Sequence, residues 1–448
     1  MLSGPLLLVV LVLSVLFIVL ATSALRLHPF LALILAALGV GLGTGLPADR
    51  IVSALKDGFG STLGSIGIVI LAGTIIGVIL EKTGASLSMA NYILRLVGKD
   101  RSPLAVAVTG YLVGIPIFCD SGFVVLSPLN NSLARLSRTS MAVMAFALAA
   151  PLYIIHCLIP PHPGPTAAAG VLGADLGGTI LLGILLGIPA AAVALFWATK
   201  FASRYDVSPA SDTTFEEMVS QRGRLPHPAL SFAPIAAPIL LIGLGSFARL
   251  DTRPFGEGSF TTFVTFCGDP NVALLLGILV AWTLARRQGG REVRDWIGEA
   301  MASAGPILAI TGAGGAFGYM LRVTPVGEYL GTLLLNWELG LLLPFLLGAA
   351  LKTAQGSSTV AVITGSSLLA PVLLQLGLGT PWGQVFTVLA LGAGSMVISH
   401  ANDSYFWVVA KFSNLDETTA FRTYSVGTAL VGCTTLLVIL VVARLFGV

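Results

Sequence analysis

Four short stretches place polar or titratable side chains inside otherwise apolar sequence. They are Cys119-Asp-Ser-Gly122, Pro160-Pro-His-Pro-Gly-Pro165, Lys352-Thr-Ala-Gln-Gly-Ser-Ser-Thr359 and Ser399-His-Ala-Asn-Asp-Ser404. A carboxylate at the bilayer centre costs about 2.5–3.5 kcal/mol even on the mild insertion scale, so Asp120 must be paired, neutral or turned to water. Lys352 is a possible charge partner for Asp120; alternatively it holds the charge of a substrate directly. Asp120, His162 and Asp403 are the candidate proton carriers, with His162 suited to titration near neutrality. Ser121 and Gly122 open one helix, and Gly356, Ser357, Ser358 and Thr359 open another. A helix that starts at such a break aims free N–H groups and the positive end of its dipole at whatever lies there. Two opposed starts favour a carboxylate or another small anion. Gln355, Asn402, Asp403 and Ser404 add donors and acceptors for substrate hydroxyls.

Other chemistries find little support. A metal site would have to combine His156, His162, His400 and Asp403, but no HExxH or CxxC spacing accompanies them, so no metal is expected. No GxxxxGK[ST] occurs, which argues against ATP as the driver, and no other cofactor is expected. Cys119, Cys157, Cys267 and Cys433 are scattered and form no disulfide framework. A net charge of +3, with Lys and Arg in loops rather than in a stripe, leaves no footprint for nucleic acid.

The elements that must position these residues are membrane helices. Apolar residues make up 55% of the chain and charged ones only 10%, against about 25% charged in soluble domains. Apolar runs fall near 5–22, 29–46, 64–80, 103–118, 122–134, 141–158, 178–199, 230–248, 270–285, 303–321, 339–351, 357–378, 384–399 and 424–446. The first is read as a span rather than a signal peptide, because its first positive charge, Arg26, follows it. Residues 200–229 are polar and read as a cytoplasmic linker between an N-terminal membrane repeat, 1–199, and a C-terminal one, 230–448.

The halves carry matching features in the same order. Gly77-Val-Ile-Leu-Glu-Lys-Thr-Gly84 corresponds to Gly318-Tyr-Met-Leu-Arg-Val-Thr-Pro325, and each is followed by a moderately amphipathic stretch, 85–97 and 326–338. Next comes a helical hairpin, 103–134 or 339–378, and then a broken helix, 141–175 or 384–412. Paired breaks of this kind point to a binding site at the repeat interface. If the hairpins are re-entrant, each half crosses five times and the second half is inverted. With the linker inside, only Arg50, Lys56, Arg249, Arg253, Arg322 and Arg444 face outward. Lys352 lies within the membrane, and the other 17 of the 24 Lys and Arg residues face the cytoplasm. The expected fold class is an all-α polytopic membrane protein of two inverted-topology repeats, each with a re-entrant hairpin and a broken transmembrane helix.

Taken with Gly114-Ile-Pro-Ile-Phe-Cys-Asp-Ser-Gly122 and Thr166, the four motifs resemble those of the gluconate permease family, the gluconate:proton symporters. The resemblance runs along essentially the whole chain. It implies a multi-pass protein of the bacterial inner membrane that takes up gluconate or a related sugar acid or small hydroxy acid with protons. It also implies kinship with a wider group of inverted-repeat carboxylate carriers that work as homodimers by an elevator motion. Sodium-coupled members of that group carry Ser-Asn-Thr at their hairpin tips. The tips here read Cys-Asp-Ser-Gly and Gln-Gly-Ser-Ser, which disfavours sodium. A sodium-coupled carboxylate or D-serine-type transporter is the alternative, followed by an anion channel and, last, an intramembrane enzyme.

Overall fold

The computed structural model describes residues 4–98, 101–209, 220, 225–248, 254–287, 292–326, 329 and 339–448. These are helical, with no strand among them. The first half comprises α1 (Pro5–Ser23), α2 (Pro29–Gly43), α3 (Ala48–Lys82), α4 (Ala85–Val97), α5 (Ser102–Val113), α6 (Cys119–Leu136), α7 (Met141–Leu158), α8 (Pro163–Leu172) and α9 (Leu176–Lys200). The second comprises α10 (Pro228–Ala248), α11 (Ser259–Cys267), α12 (Pro270–Arg287), α13 (Val293–Val323), α14 (Leu342–Gln355), α15 (Ser358–Leu369), α16 (Pro381–Ser395), α17 (Ser404–Phe412) and α18 (Glu417–Leu445). Residues 210–219 and 221–224 of the 200–229 linker and most of the 326–338 stretch lie outside the described residues, as do Lys99, Arg222, Arg224, Arg249, Arg253 and Arg291 from the charge count.

Seven of the described helices are long and apolar enough to cross a bilayer, counting Met141–Leu172 as one broken span. An eighth is added if α11 and α12, bent by 67° at Gly268, form one span. The four arms α5, α6, α14 and α15 have 12, 18, 14 and 12 residues. Three of them fall short of the roughly 17 residues that a crossing needs.

The interior follows composition. Every residue of α7 is buried, as expected of a helix apolar on all sides. Nearly all of α15 and α16 is buried too. Small residues bring these inner helices together. A Cβ on Gly394 of α16 would lie 2.0 Å from the Phe345 carbonyl oxygen of α14. One on Gly392 would lie 2.3 Å from the Cys157 carbonyl oxygen of α7. Such backbone approach is the usual means of helix association in lipid, where apolar burial gives little drive.

The long helices α3 and α13 pack along each other and against the inner group. Gly58 and Gly315 form one crossing, where a Cβ on Gly58 would meet the Gly315 carbonyl oxygen at 2.6 Å. Gly73 and Gly77 of α3 receive the chain breaks themselves. A Cβ there would meet the Pro161 ring at 2.5 Å and the Pro116 carbonyl oxygen at 2.3 Å.

Candidate functional site

Each break ends one helix and starts the next. Residues 114–118 separate α5 from α6, residues 159–162 separate α7 from α8, Gly356 and Ser357 separate α14 from α15, and residues 396–403 separate α16 from α17. The local causes are legible. Ile115-Pro-Ile and Pro160-Pro-His-Pro remove backbone donors and exclude the helical conformation before each proline. Gly356 takes the left-handed conformation, φ 81°, and ends α14. Ser357 then caps α15 by accepting from the Val360 N–H at 3.3 Å.

All four new helices begin at one cavity of about 450 Å³. Its wall includes Cys119, Asp120 and Ser121 from α6, Pro163 from α8, Ser358, Thr359 and Val360 from α15, and Ser404 and Tyr405 from α17. Gln355, Gly356, Ser357, Asn402 and Asp403 complete the polar side. Phe118, Tyr153, Ile307 and Ile310 supply an apolar side. The size falls within the roughly 300–1,000 Å³ typical of small-molecule sites. Four helix starts at one cavity concentrate positive backbone potential there.

The charged groups are arranged unequally. Lys352 is fully buried, and its Nζ donates to Asp403 Oδ2 at 2.7 Å and to the Gly356 carbonyl oxygen at 2.7 Å. The Ser399 hydroxyl donates to the same carboxylate oxygen, and the Tyr405 N–H donates to Oδ1 at 3.0 Å. Asp403 is therefore both the cap of α17 and the partner of Lys352. This differs from the expected pairing of Lys352 with Asp120. The two tip motifs match in sequence, but the fold brings α14 beside the second break instead. Asp120 sits in the first turn of α6, no ion pair to it is seen among the described residues, and its Oδ1 is buried with no hydrogen-bond partner. Both amide atoms of Gln355 are likewise buried and unpartnered.

The second break is braced from α18. The Ser399 N–H donates to Thr428 Oγ1 at 3.1 Å, and the Ser425 hydroxyl donates to the Ser399 carbonyl oxygen at 2.5 Å. Ser425 closes a π-helical turn, Phe421–Ser425. Ile398 has φ 51°, a region that a β-branched residue rarely enters, and such a conformation costs about 1–3 kcal/mol. The bracing holds the chain in this turn. Asn402 Nδ2 reaches the Thr353 carbonyl oxygen at 2.8 Å, and His400 Nε2 lies 3.2 Å from the same atom.

Of the residues singled out from sequence, Asp120, Ser121, Gln355, Gly356, Ser357, Ser358, Thr359, Asn402, Asp403 and Ser404 line this cavity. Gly122 does not; it is buried where a Cβ would meet Leu152 at 3.0 Å. His162 faces a neighbouring chamber, with Nε2 2.9 Å from the Gly114 carbonyl oxygen. His156, named from sequence only as a member of a hypothetical metal set, lines the cavity and lies 3.4 Å from Thr359 Oγ1. Sequence reasoning did not assign Phe118, Tyr153, Tyr405, Ser425 or Thr428. Their one sequence signal is nearness to a break, or a hydroxyl in an apolar run. Among the described residues no cluster of His, Cys, Asp and Glu is placed to hold a metal ion.

Comparison with known proteins agrees with this architecture. The family described as GntP family permease matches residues 6–445. A gluconate permease of Pseudomonas aeruginosa is 36% identical, with 89% of each chain covered. The inner membrane permease YgbN of Escherichia coli is 33% identical over 92% of this chain and 93% of its own. The Gnt-II system L-idonate transporter of Escherichia coli is 32% identical over 93% and 94%. The crystal structure of the Alcanivorax borkumensis YdaH transporter, described as having an unusual topology, superposes with a TM-score of 0.67 at 17% identity, covering 93% of this chain and 98% of that one. The apolar spans and the match along nearly the whole chain identify a multi-pass protein of the bacterial inner membrane, a transporter rather than an enzyme, and the chain belongs to the GntP family of permeases.

Proposed function

We propose that the protein takes gluconate, or a related sugar acid or small hydroxy acid, into the cell by symport with protons. The observation that carries this reading is the convergence of four helix starts on a cavity of about 450 Å³ that also holds an uncompensated carboxyl group, Asp120. Helix starts favour an anion, and the hydroxyl and amide groups of Ser357, Ser358, Thr359, Gln355 and Asn402 suit a polyhydroxy acid. The names of the relatives, gluconate permease and L-idonate transporter, support the same substrate class.

Asp120 supplies the coupling. As a carboxylate it occupies the positive end of α6 and repels a second carboxylate. Two unit charges about 4 Å apart repel by about 4 kcal/mol at an effective dielectric constant near 20. A proton on Asp120 removes that repulsion and opens the helix start to the substrate, so anion and proton enter together. Asp403 is less suited to this part, because Lys352 already balances its charge. Substrate anion and proton together then add no net charge to the site. We take the two inverted repeats, the homodimer and an elevator-type motion of the site as part of the same proposal, on the resemblance and on the matching order of breaks in the two halves.

Uptake of labelled gluconate into proteoliposomes, with and without an inward proton gradient, tests the reading. Accumulation above equilibrium that collapses with a protonophore is the expected result. Accumulation that ignores the proton gradient and follows sodium overturns the coupling. Equilibration without accumulation identifies a channel instead.

A further inference from the structure

A second, smaller chamber adjoins the cavity. It has a volume of about 130 Å³ and is lined by Thr74 and Glu81 of α3, Ser121 of α6, His162 of the first break, and Glu299 and Ser303 of α13. Ser121 and Phe118 belong to both spaces. Phe118 stands between them, its ring 6.3 Å from that of His156 and 6.0 Å from that of His162. The far end of the chamber lies where α3 ends and α13 begins. There Glu299 is half exposed and pairs with Lys82 at 2.8 Å. The charge bias assigns this end to the cytoplasm.

We propose that this chamber is the proton's route between the substrate site and the cytoplasm, separate from the route that the substrate takes. The proposal rests on the proton-coupled reading above and adds a path to it. Size argues for protons over substrate. A volume of about 130 Å³ is well under the roughly 300 Å³ at which small-molecule sites begin, yet it is ample for several waters. Glu81 and Glu299 line its far end, where Glu299 pairs with Lys82.

The chemistry is continuous. Asp120 and Ser121 are successive residues at the start of α6, one facing the cavity and the other facing both spaces. The proton breaks its bond to the Asp120 carboxyl, leaving a carboxylate. It crosses by way of the Ser121 hydroxyl and chamber water and emerges on bulk water at the Glu81 and Glu299 end. His162 borders this path. The Gly114 carbonyl oxygen can only accept, so His162 Nε2 donates to it, and the neutral ring keeps its lone pair on Nδ1. Thr74 donates its hydroxyl hydrogen to the Ile70 carbonyl oxygen at 2.8 Å, and Ser303 donates to the Glu299 carbonyl oxygen at 3.0 Å. Both hydroxyls are thereby left as acceptors for water on the chamber side.

The test separates proton release from substrate movement. Net uptake driven by a proton gradient requires the proton to leave at every turnover. Exchange of internal unlabelled for external labelled gluconate does not, because the carrier can return fully loaded. Ser303→Leu fills the chamber from α13 without touching the substrate cavity, and Glu299→Gln removes charge at its mouth. For Ser303→Leu we expect net uptake to fall by about ten-fold or more while exchange stays within about two-fold of wild type, the scale set by loss of one proton-transfer step. Glu299→Gln should produce the same split in milder form. Retained exchange also reports that the variants are folded. Unchanged net uptake in both variants overturns the route, and so does equal loss of uptake and exchange. If wild-type uptake itself ignores the proton gradient, the coupling reading fails first and the route falls with it.

Discussion

Lys352 and Asp403, 51 residues apart in sequence, meet at 2.7 Å and join the end of α14 to the start of α17. The ammonium is fully buried and also holds the Gly356 carbonyl oxygen, so one side chain fixes the end of α14 and the start of α17 at once. Removing one member of a buried pair strands the other charge, which typically costs about 3–5 kcal/mol. Lys352→Met or Asp403→Asn alone should therefore lower the melting temperature sharply. The double variant should be more stable than the sum of the two losses implies. Thermal unfolding in detergent, arranged as a double-mutant cycle, measures the coupling, and strict additivity would count against the pair.

Gly356 leaves no room for a side chain. Its φ of 81° and the 2.1 Å from a would-be Cβ to the Asn402 carbonyl oxygen oppose substitution on two separate grounds. Gly356→Ala should abolish gluconate uptake while the protein still inserts into the membrane, because the displacement is confined to the tip and Asn402. Ser357→Ala should do less, costing about 0.5–2 kcal/mol of helix start. Uptake assays on the two variants side by side distinguish these effects, and wild-type transport by Gly356→Ala would refute the geometry.

Asp120→Asn holds the start of α6 neutral at every pH. Substrate binding should survive and lose its dependence on external pH, since the repulsion that a proton relieves is gone. Accumulation against a gradient should disappear. Binding by isothermal calorimetry across pH, with uptake in the same preparation, checks both halves, and a variant that still accumulates substrate would remove Asp120 from the coupling step.

Thr428→Val should destabilise the second break. It withdraws the acceptor of the Ser399 N–H and leaves that buried donor unpaired, at a cost of about 1–3 kcal/mol. Because Ser399 also hydrogen-bonds Asp403, a loss of substrate affinity should accompany the lower melting temperature. Thr428→Ser, which keeps the hydroxyl, should restore both.

The sequence by itself determined the class of molecule and the neighbourhood of the four breaks. Composition demanded membrane helices, and the prolines of 115–117 and 160–165, together with Gly356, ended helices within a residue or two of where local chemistry says they must. Element ends were less legible. Apolar runs at 64–80 and 303–321 became helices Ala48–Lys82 and Val293–Val323. The added turns carry Asp57, Ser61 and Glu299, which hydropathy reads as loop, but α3 and α13 pack along each other there. Helix α11 was missed because its nine residues fall below any span length.

Only the tertiary structure decided which break faces which. Matching motifs in the two halves suggested Lys352 beside Asp120, yet a hairpin tip can meet any element that the packing brings to it, and here it meets Ser399–Asp403. The same packing turned Gly122 onto Leu152 and His162 into the smaller chamber, while it brought His156, Tyr153 and Tyr405 to the cavity. Helix starts and stops are local events, set by a few consecutive residues, and are therefore written along the chain. Contacts across 50 or more residues depend on how Gly-lined helix faces interlock, and hydropathy and periodicity carry no record of that.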